Sequence, residues 1–160
     1  LNVIFSDPDL KTLFFRTCGY HGNMDFTNDP NCWIRDLPLL EIGQSVYLGD
    51  GILLGTNQVS GDQKFLTVGT IQIGDNSVFD QQCSIGLNTQ IGKNVAGRFK
   101  SMVGLKAKVK NNVTLGEGSH VGHGAVINDD VELGHFSGRW NFQYCGCRIV
   151  YTRSRENTSL

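Results

Sequence analysis

Apolar residues return every six positions through the middle of this 160-residue chain. A frame that starts at Ile73 and steps by six meets an aliphatic residue at nine of eleven places. The eleven places are Ile73, Phe79, Ile85, Ile91, Gly97, Val103, Val109, Leu115, Val121, Ile127 and Leu133. An α-helix needs apolar positions at a period of about 3.6 and a flat strand needs strict alternation, so neither fits this spacing.

Two further registers accompany the apolar one. Glycine follows the first place in seven of the eleven hexads, although only 20 of the 160 residues are glycine. The fifth place is always small or β-branched: Ser77, Cys83, Thr89, Val95, Ser101, Ala107, Val113, Ser119, Ala125, Val131 and Ser137. Each hexad therefore predicts a short strand with an inward aliphatic residue, followed by a bend of the chain at the small residue, which forms one corner of a coil. Three corners predict a triangular coil of about 18 residues, with successive coils paired at roughly 4.8 Å.

The frame has two irregular places. Phe79 precedes Gly97 by 18 residues, which predicts that its large side chain fills the space left by the glycine one coil later. The hexad "AGRFKSM" fits the pattern least well, and a local bulge at Arg98 and Phe99 is compatible with it. Upstream, the pattern resumes through Leu54, but 19 residues separate Leu54 from Ile73. This slip predicts a loop excursion at 59–66, and such excursions often carry a binding face.

The pattern divides the chain into three parts. Residues 1–39 are predicted to form an N-terminal cap with a short helix near 9–16. Residues 40–135 are predicted to form an all-β solenoid, a parallel β-helix of hexapeptide repeats. Residues 136–160, where bulky aromatics replace the small corner residues, are predicted to form a C-terminal cap and tail. Caps are needed because an open solenoid end exposes unpaired strand edges.

Charge and composition argue against several classes of partner and location. The net charge of −1 provides no basic surface for nucleic acid. No apolar run approaches the roughly 18 residues that span a membrane, and the first thirty residues lack a signal pattern, so we expect a cytoplasmic protein. The five cysteines lack paired metal-ligand spacing, which favours reduced thiols.

The hexads "IGDNSV", "IGLNTQ", "IGKNVA", "LGEGSH" and "VGHGAV" resemble those of the bacterial hexapeptide-repeat transferases, over about residues 40–135. The resemblance implies a left-handed β-helix, a homotrimer, and transfer of an acyl (acetyl) group from a coenzyme A or carrier-protein thioester to a hydroxyl or amine, without a metal. The stretch "DLPLLEIGQSVYLGDGILLGTNQ" is similar to the C-terminal hexapeptide region of polylysine-synthetase-like, amino-acid-adenylating proteins.

In this family a histidine acts as general base, and the resemblance selects His123. The stretch "HVGHGAVIN" resembles the family's catalytic segment, with Gly124 where relatives carry Asp or Asn. An imidazole suits the task because its pKa lies near working pH. His120 is the second candidate. The remaining candidates are His21 and His135 as weaker bases, Glu117, Asp129 and Asp130 as carboxylates that orient an imidazole, and Lys106, Lys108 and Lys110 as contacts of coenzyme A phosphates.

Two alternatives remain open. A structural or assembly module without chemistry is favoured by the weak hexad, by Gly124 and by the missing hexads after Gly134. The Gly-x-Pro-Ala stretch that many relatives carry is absent, which argues against acyl-coenzyme A as the donor. A γ-class carbonic anhydrase shares the fold, but its histidine pair is spaced by five, whereas His120 and His123 are three apart. We therefore predict no metal site.

Overall fold

Three parallel sheets form the sides of a solenoid in the computed structural model, which describes residues 7–62 and 64–139. Strands are numbered in chain order. Sheet 1 contains β1 (Phe26–Asn28), β4 (Val46–Leu48), β9 (Val78–Phe79), β12 (Ala96–Gly97), β15 (Thr114–Leu115) and β18 (Glu132–Leu133). Sheet 2 contains β2 (Trp33–Ile34), β5 (Leu53–Leu54), β10 (Ser84–Ile85), β13 (Met102–Val103), β16 (His120–Val121) and β19 (Gly138–Arg139). Sheet 3 contains β3 (Leu40–Ile42), β8 (Ile71–Ile73), β11 (Thr89–Ile91), β14 (Lys108–Val109) and β17 (Val126–Ile127).

The strand register confirms the predicted 18-residue coil. Ile73 pairs with Ile91 and Ile91 with Val109, each 18 residues further along the chain. The first-place side chains fill the interior, and Ile85 and Leu115 are almost inaccessible to solvent. The protein is therefore a parallel β-helix of hexapeptide repeats, with the architecture expected of the left-handed form.

The corners make different demands on the second and fourth residues of the hexad: the fourth adopts a left-handed backbone, and glycine at the second leaves space for the next coil. All eleven fourth-place residues have a left-handed backbone, with φ between 53° and 65°: Asn76, Gln82, Asn88, Asn94, Lys100, Lys106, Asn112, Gly118, Gly124, Asp130 and Phe136. The second-place glycines do not need that conformation; they need space. A Cβ on Gly104 would lie 2.8 Å from the His123 ring, and one on Gly92 would lie 2.6 Å from Asn111.

An antiparallel hairpin interrupts the coil between sheets 2 and 3. Its strands are β6 (Asn57–Val59) and β7 (Leu66–Val68), so the excursion is longer than residues 59–66. Leu48 pairs with Phe79 across 31 residues instead of 18, which leaves 13 inserted residues. The Gly69 amide donates to the Thr56 carbonyl at 2.8 Å and closes the base of the hairpin.

Asp36 anchors this hairpin to the N-terminal part of the chain. Its carboxylate accepts hydrogen bonds from the Thr56 hydroxyl at 2.6 Å and the Asn57 amide at 3.0 Å. These two bonds hold the pKa of the Asp36 carboxyl below its ordinary 3.8. The hairpin also exposes large apolar side chains: Val59, Phe65, Leu66 and Val68.

Helix α1 (Pro8–Thr17) lies where the sequence predicts a helix near 9–16. The Asp7 side chain accepts from the amides of Asp9 and Leu10, and Pro8 occupies the first turn, where its missing N–H costs nothing. The helix ends before Gly19, whose φ of 86° places it in the left-handed region that terminates helices.

Aromatic side chains pack α1 onto the first coil. The Phe15 ring lies edge-on to Tyr20 and Phe26, with centroids 5.7 and 5.5 Å away. The Lys11 ammonium donates to the Phe26 carbonyl and lies 3.9 Å from that ring's centroid. Burial lowers the pKa of Lys11, and the cation serves to occupy a carbonyl on the outermost strand of sheet 1. Strands β1 and β2 thus place Phe26–Ile34 in the solenoid itself.

The weak hexad is regular, so the bulge expected at Arg98 and Phe99 is absent. The Arg98 amide donates to the Leu115 carbonyl at 2.9 Å, and Met102 stays in register with His120. The Phe79 side chain, one coil earlier, fills the interior volume that Gly97 leaves empty. This filling explains why a hexad without an aliphatic first residue keeps its geometry. The coil continues through β19, and most of the predicted C-terminal segment, from residue 140 onward, lies outside the described residues.

Among the described residues, no helix is both long and apolar enough to span a bilayer.

Candidate functional site

The hairpin and His123 lie on the same corner of the solenoid, between sheets 2 and 3. We call it the hairpin corner; it is formed by residues 55–70 and then by 86–89, 104–107 and 122–125 in successive coils. His123 is three coils beyond the hairpin, roughly 14 Å away at the usual strand spacing. The third residue of each hexad, two positions after the inward one, becomes more exposed along this corner. Leu87 is buried beside the hairpin, Leu105 is half-buried and His123 is exposed.

His123 uses one ring nitrogen to hold the coil together. Its Nδ1 accepts a hydrogen bond from the Leu105 backbone amide at 2.9 Å, across one coil. A backbone amide only donates, so Nδ1 is unprotonated, and the single proton of a neutral imidazole lies on Nε2. The predicted base therefore presents a donor N–H on its other nitrogen.

The same contact recurs at the third place of other hexads. In each case the side chain accepts a hydrogen bond from the backbone amide of the third-place residue in the preceding coil. The five side chains are Asp75, Asn111, His123, Asp129 and His135, with donor–acceptor distances of 3.0, 2.9, 2.9, 2.9 and 3.2 Å. A second-place glycine in the preceding coil makes room for three of these side chains: Gly43 for Asp75, Gly92 for Asn111 and Gly104 for His123. This ladder of third-place acceptors is a structural feature that the sequence analysis missed, although the recurrence of Asp, Asn and His at that place signalled it.

His120 lies on the outer face of sheet 2, three residues before His123. It is half-buried in β16, between Met102 and Gly138 of the neighbouring strands. Burial lowers the pKa of His120 below its ordinary 6.5, and the charge of nearby His123 acts in the same direction. The structure thus places the first and second candidates near each other, and burial favours the neutral form of His120.

The candidate lysines divide between two corners. Lys106 and Lys108 are exposed in the coil that precedes His123, Lys106 on the hairpin corner and Lys108 at the adjoining edge of sheet 3. Lys110 lies beyond sheet 3, where its ammonium is 3.9 Å from the Asp129 carboxylate. Two of the three lysines, Lys106 and Lys108, therefore lie on or beside the hairpin corner.

None of the candidate carboxylates has a recorded contact with His123. The Glu117 carboxylate lies 3.8 Å from Nδ1 of His135, on a different corner. Asp129 accepts from Asn111, and Asp130 accepts from the Asn112 amide at 3.0 Å. His21 precedes the first coil, outside the hairpin corner.

Gly124 has a conformational explanation. It occupies the fourth place, with a φ of 65°, and Asn fills that left-handed place in several other hexads. Gly and Asn are the residues that adopt it most readily. The departure from the family's Asp or Asn is therefore compatible with the fold.

A surface depression lies apart from the histidine pair, and possible metal ligands do not cluster among the described residues. The depression, of about 300 Å³, is lined by residues around Glu41 and Gln72, on the outer face of sheet 3 and at its corner with sheet 1. In the part of the chain that the structure describes, no group of three or more His, Cys, Asp or Glu side chains could hold a metal ion.

No protein-family model matches this sequence, and no curated protein matches it. Solved structures of acyltransferases resemble the chain. A serine acetyltransferase isoform 3 from Entamoeba histolytica, in complex with cysteine, is 12% identical with a TM-score of 0.33, over 92% of this chain and 44% of the other. A variant of GDP-perosamine N-acetyltransferase from Caulobacter crescentus, with CoA and GDP-perosamine, is 17% identical with a TM-score of 0.27, over 83% of this chain and 64% of the other.

A variant of the N-acyltransferase AntD from Bacillus cereus was crystallised with dTDP-4-amino-4,6-dideoxyglucose and coenzyme A. It is 14% identical with a TM-score of 0.29, over 77% of this chain and 83% of the other. The chain spans less than two thirds of the first two structures. At these identities and TM-scores the likenesses carry no argument about chemistry, and the fold rests on the strand register of this chain. The register defines a hexapeptide-repeat β-helix protein.

Proposed function

We propose that this protein is an acyltransferase that moves an acyl group, acetyl in the simplest case, from a coenzyme A or carrier-protein thioester to a hydroxyl or amine. The observation that carries the proposal is a pair of neighbouring histidines, His123 on the hairpin corner and His120 on the adjoining strand β16, where burial lowers the pKa of His120. Lys106 and Lys108 lie in the preceding coil. The donor class comes from the resemblance of the hexads.

The chemistry needs one neutral imidazole and one anion-binding surface. The imidazole accepts the proton of the acceptor hydroxyl or amine as its oxygen or nitrogen attacks the thioester carbonyl. When the tetrahedral intermediate collapses, the carbon–sulfur bond breaks and the imidazolium returns the proton to the thiolate. Lys106 and Lys108 supply positive charge for coenzyme A phosphates.

His123 is exposed and His120 is only half-buried, which an enzyme site that excludes water would not tolerate. We propose that the protein is a homotrimer in which a neighbouring subunit covers the hairpin corner and forms a groove. Light scattering then gives three times the chain mass of 17.6 kDa. A monomeric mass would remove the groove and with it the proposed site.

The test is thiol release from acetyl-coenzyme A with a panel of amines, hydroxylated amino acids and sugar nucleotides. The native chain is compared with a His120→Asn/His123→Asn double variant and with His135→Asn as the matched control. Asparagine keeps the third-place acceptor, as Asn111 shows, so the variants lose imidazoles without losing that backbone contact. We expect turnover by the native chain and the control, and a loss of at least about a hundredfold in the double variant.

A non-catalytic assembly module is the second candidate, and one observation favours it. His123 makes the same contact as Asp75, Asn111, Asp129 and His135, so the coil alone accounts for a polar side chain at that place. No thiol release with any acceptor, together with no heat of binding on titration with coenzyme A, would decide for this module and against the acyltransferase.

A further inference from the structure

We infer that His120 and His123 have different tasks: His120 accepts the proton, and His123 donates a hydrogen bond from Nε2 to the oxygen that becomes negative during transfer. The inference rests on the proposed function and goes beyond it, because the sequence resemblance assigns the base to His123.

The Leu105 amide fixes the tautomer of His123. Which nitrogen of a histidine carries the proton is ordinarily an assignment based on hydrogen-bonding partners, and here the partner of Nδ1 is a backbone N–H that cannot accept. Nε2 therefore carries the proton and has no lone pair to offer. Protonation of His123 at Nδ1 would displace the Leu105 amide and break this hydrogen bond, one of several between the two coils.

An Nε2–H held in this way is preorganised to stabilise negative charge. Its ring is positioned by the coil beneath it, and Gly104 provides the space that the ring needs. A fixed donor aimed at a developing oxyanion lowers the barrier because no reorganisation is required during the reaction. The tetrahedral intermediate of thioester cleavage carries such an oxyanion on the former carbonyl oxygen.

His120 is the complementary group. It lies on a strand rather than at a corner, so its side chain is not part of the third-place ladder. Its neighbours in register, Met102 and Gly138, carry no charge, and the electrostatic effect of His123 disfavours a second positive charge beside it. A histidine whose neutral form is favoured and that lies beside a fixed donor is suited to receive a proton from an amine or hydroxyl.

The direct test is the tautomer of each ring, measured by long-range ¹H–¹⁵N correlation spectra of the ¹⁵N-histidine-labelled protein near neutral pH. Signals are assigned by their loss in His120→Asn and in His123→Asn. We expect an unprotonated Nδ1 and a protonated Nε2 for His123. A proton on Nδ1 of His123 would overturn the inference, whether or not the protein is active.

The kinetic test separates the two tasks. His123→Asn keeps the acceptor for Leu105 and is expected to lower kcat by about 10²- to 10³-fold while the acidic limb of the pH–rate profile remains. His120→Asn is expected to lower kcat by about 10²- to 10⁴-fold and to abolish that limb. Loss of the limb in His123→Asn instead would overturn the division of tasks. Absence of turnover in the native chain would overturn the proposed function as well, and the spectra distinguish that case because the tautomer is measured without substrate.

Discussion

The Phe79 ring lies one coil before Gly97, in the place where a side chain on Gly97 would have to be. The two residues are paired in register between β9 and β12, and a Cβ on Gly97 would come within 2.5 Å of Phe79 Cδ1. Phe79 itself is completely buried. One aromatic ring therefore fills the interior of two coils, which confirms the volume exchange that the 18-residue spacing predicts.

Gly97→Ala is expected to destabilise the protein by about 1–3 kcal/mol, because the added methyl overpacks the interior against Phe79. The same substitution in a Phe79→Leu background is expected to cost less, since the smaller side chain makes room. Urea unfolding of the two single variants and the double variant measures the coupling. Gly61→Ala is the control, as no atom of the described residues lies within 4 Å of its added Cβ. Equal costs of Gly97→Ala in both backgrounds would show that the two residues do not share the space.

Gly124→Ala is expected to cost about 1 kcal/mol, because its φ of 65° is unfavourable for a residue with a Cβ. Gly124→Asn is expected to cost less, since Asn adopts the same conformation at Asn112 and at Asn94. Thermal unfolding compares both with Gly55→Ala, whose added Cβ lies at an ordinary contact distance of 3.5 Å from the Ile85 carbonyl oxygen and whose φ is outside the left-handed region. If alanine and asparagine at 124 were equally tolerated, the backbone explanation for this glycine would fail.

Removal of residues 57–69 is expected to leave a folded β-helix. The deletion joins Thr56 to Thr70 and restores a hexad from Leu54 to Gln72, and the two ends already meet, because the Gly69 amide donates to the Thr56 carbonyl at 2.8 Å. Since loop length has only a small entropic effect, we expect a change in unfolding free energy within about 1–2 kcal/mol. Circular dichroism and urea unfolding measure it. Aggregation or loss of cooperative unfolding would show that the hairpin supports the coil.

Acid is expected to weaken the solenoid through the third-place carboxylates. Lys93 lowers the pKa of Asp75 below 3.8, and the Asn111 amide does the same for Asp129. A carboxyl whose folded-state pKa is lowered contributes stability above its unfolded pKa of about 4, and this contribution is lost as the pH falls through the folded-state value.

Unfolding free energies measured between about pH 5 and pH 3 should therefore fall less steeply in an Asp75→Asn/Asp129→Asn variant than in the native chain. Asparagine retains the acceptor oxygen, so the comparison isolates the charge. A parallel pH dependence in the two proteins would show that these carboxylates do not contribute to acid sensitivity.

The candidate site was predictable only in part. The resemblance of "HVGHGAVIN" selected His120 and His123, and the structure brings them together. It could not assign their nitrogens, because the donor that occupies Nδ1 of His123 belongs to Leu105, one coil away. The assignment of the general base to His123 comes from the resemblance and stays untested, and the hydrogen bond from the Leu105 amide to Nδ1 is the reason that we infer His120 to be the base.

The sequence by itself determined the coil, because a six-residue period repeats the same local demands: an inward aliphatic residue, space at the second place, a left-handed fourth residue and a small fifth residue. Only the tertiary structure decided which side chains in one coil hydrogen-bond to the backbone of the preceding coil. It also revealed that Phe26–Ile34 enters the solenoid and that the excursion pairs as an antiparallel hairpin. These features depend on contacts between groups in different coils. The six-residue period describes only what each hexad needs locally, so it does not predict them.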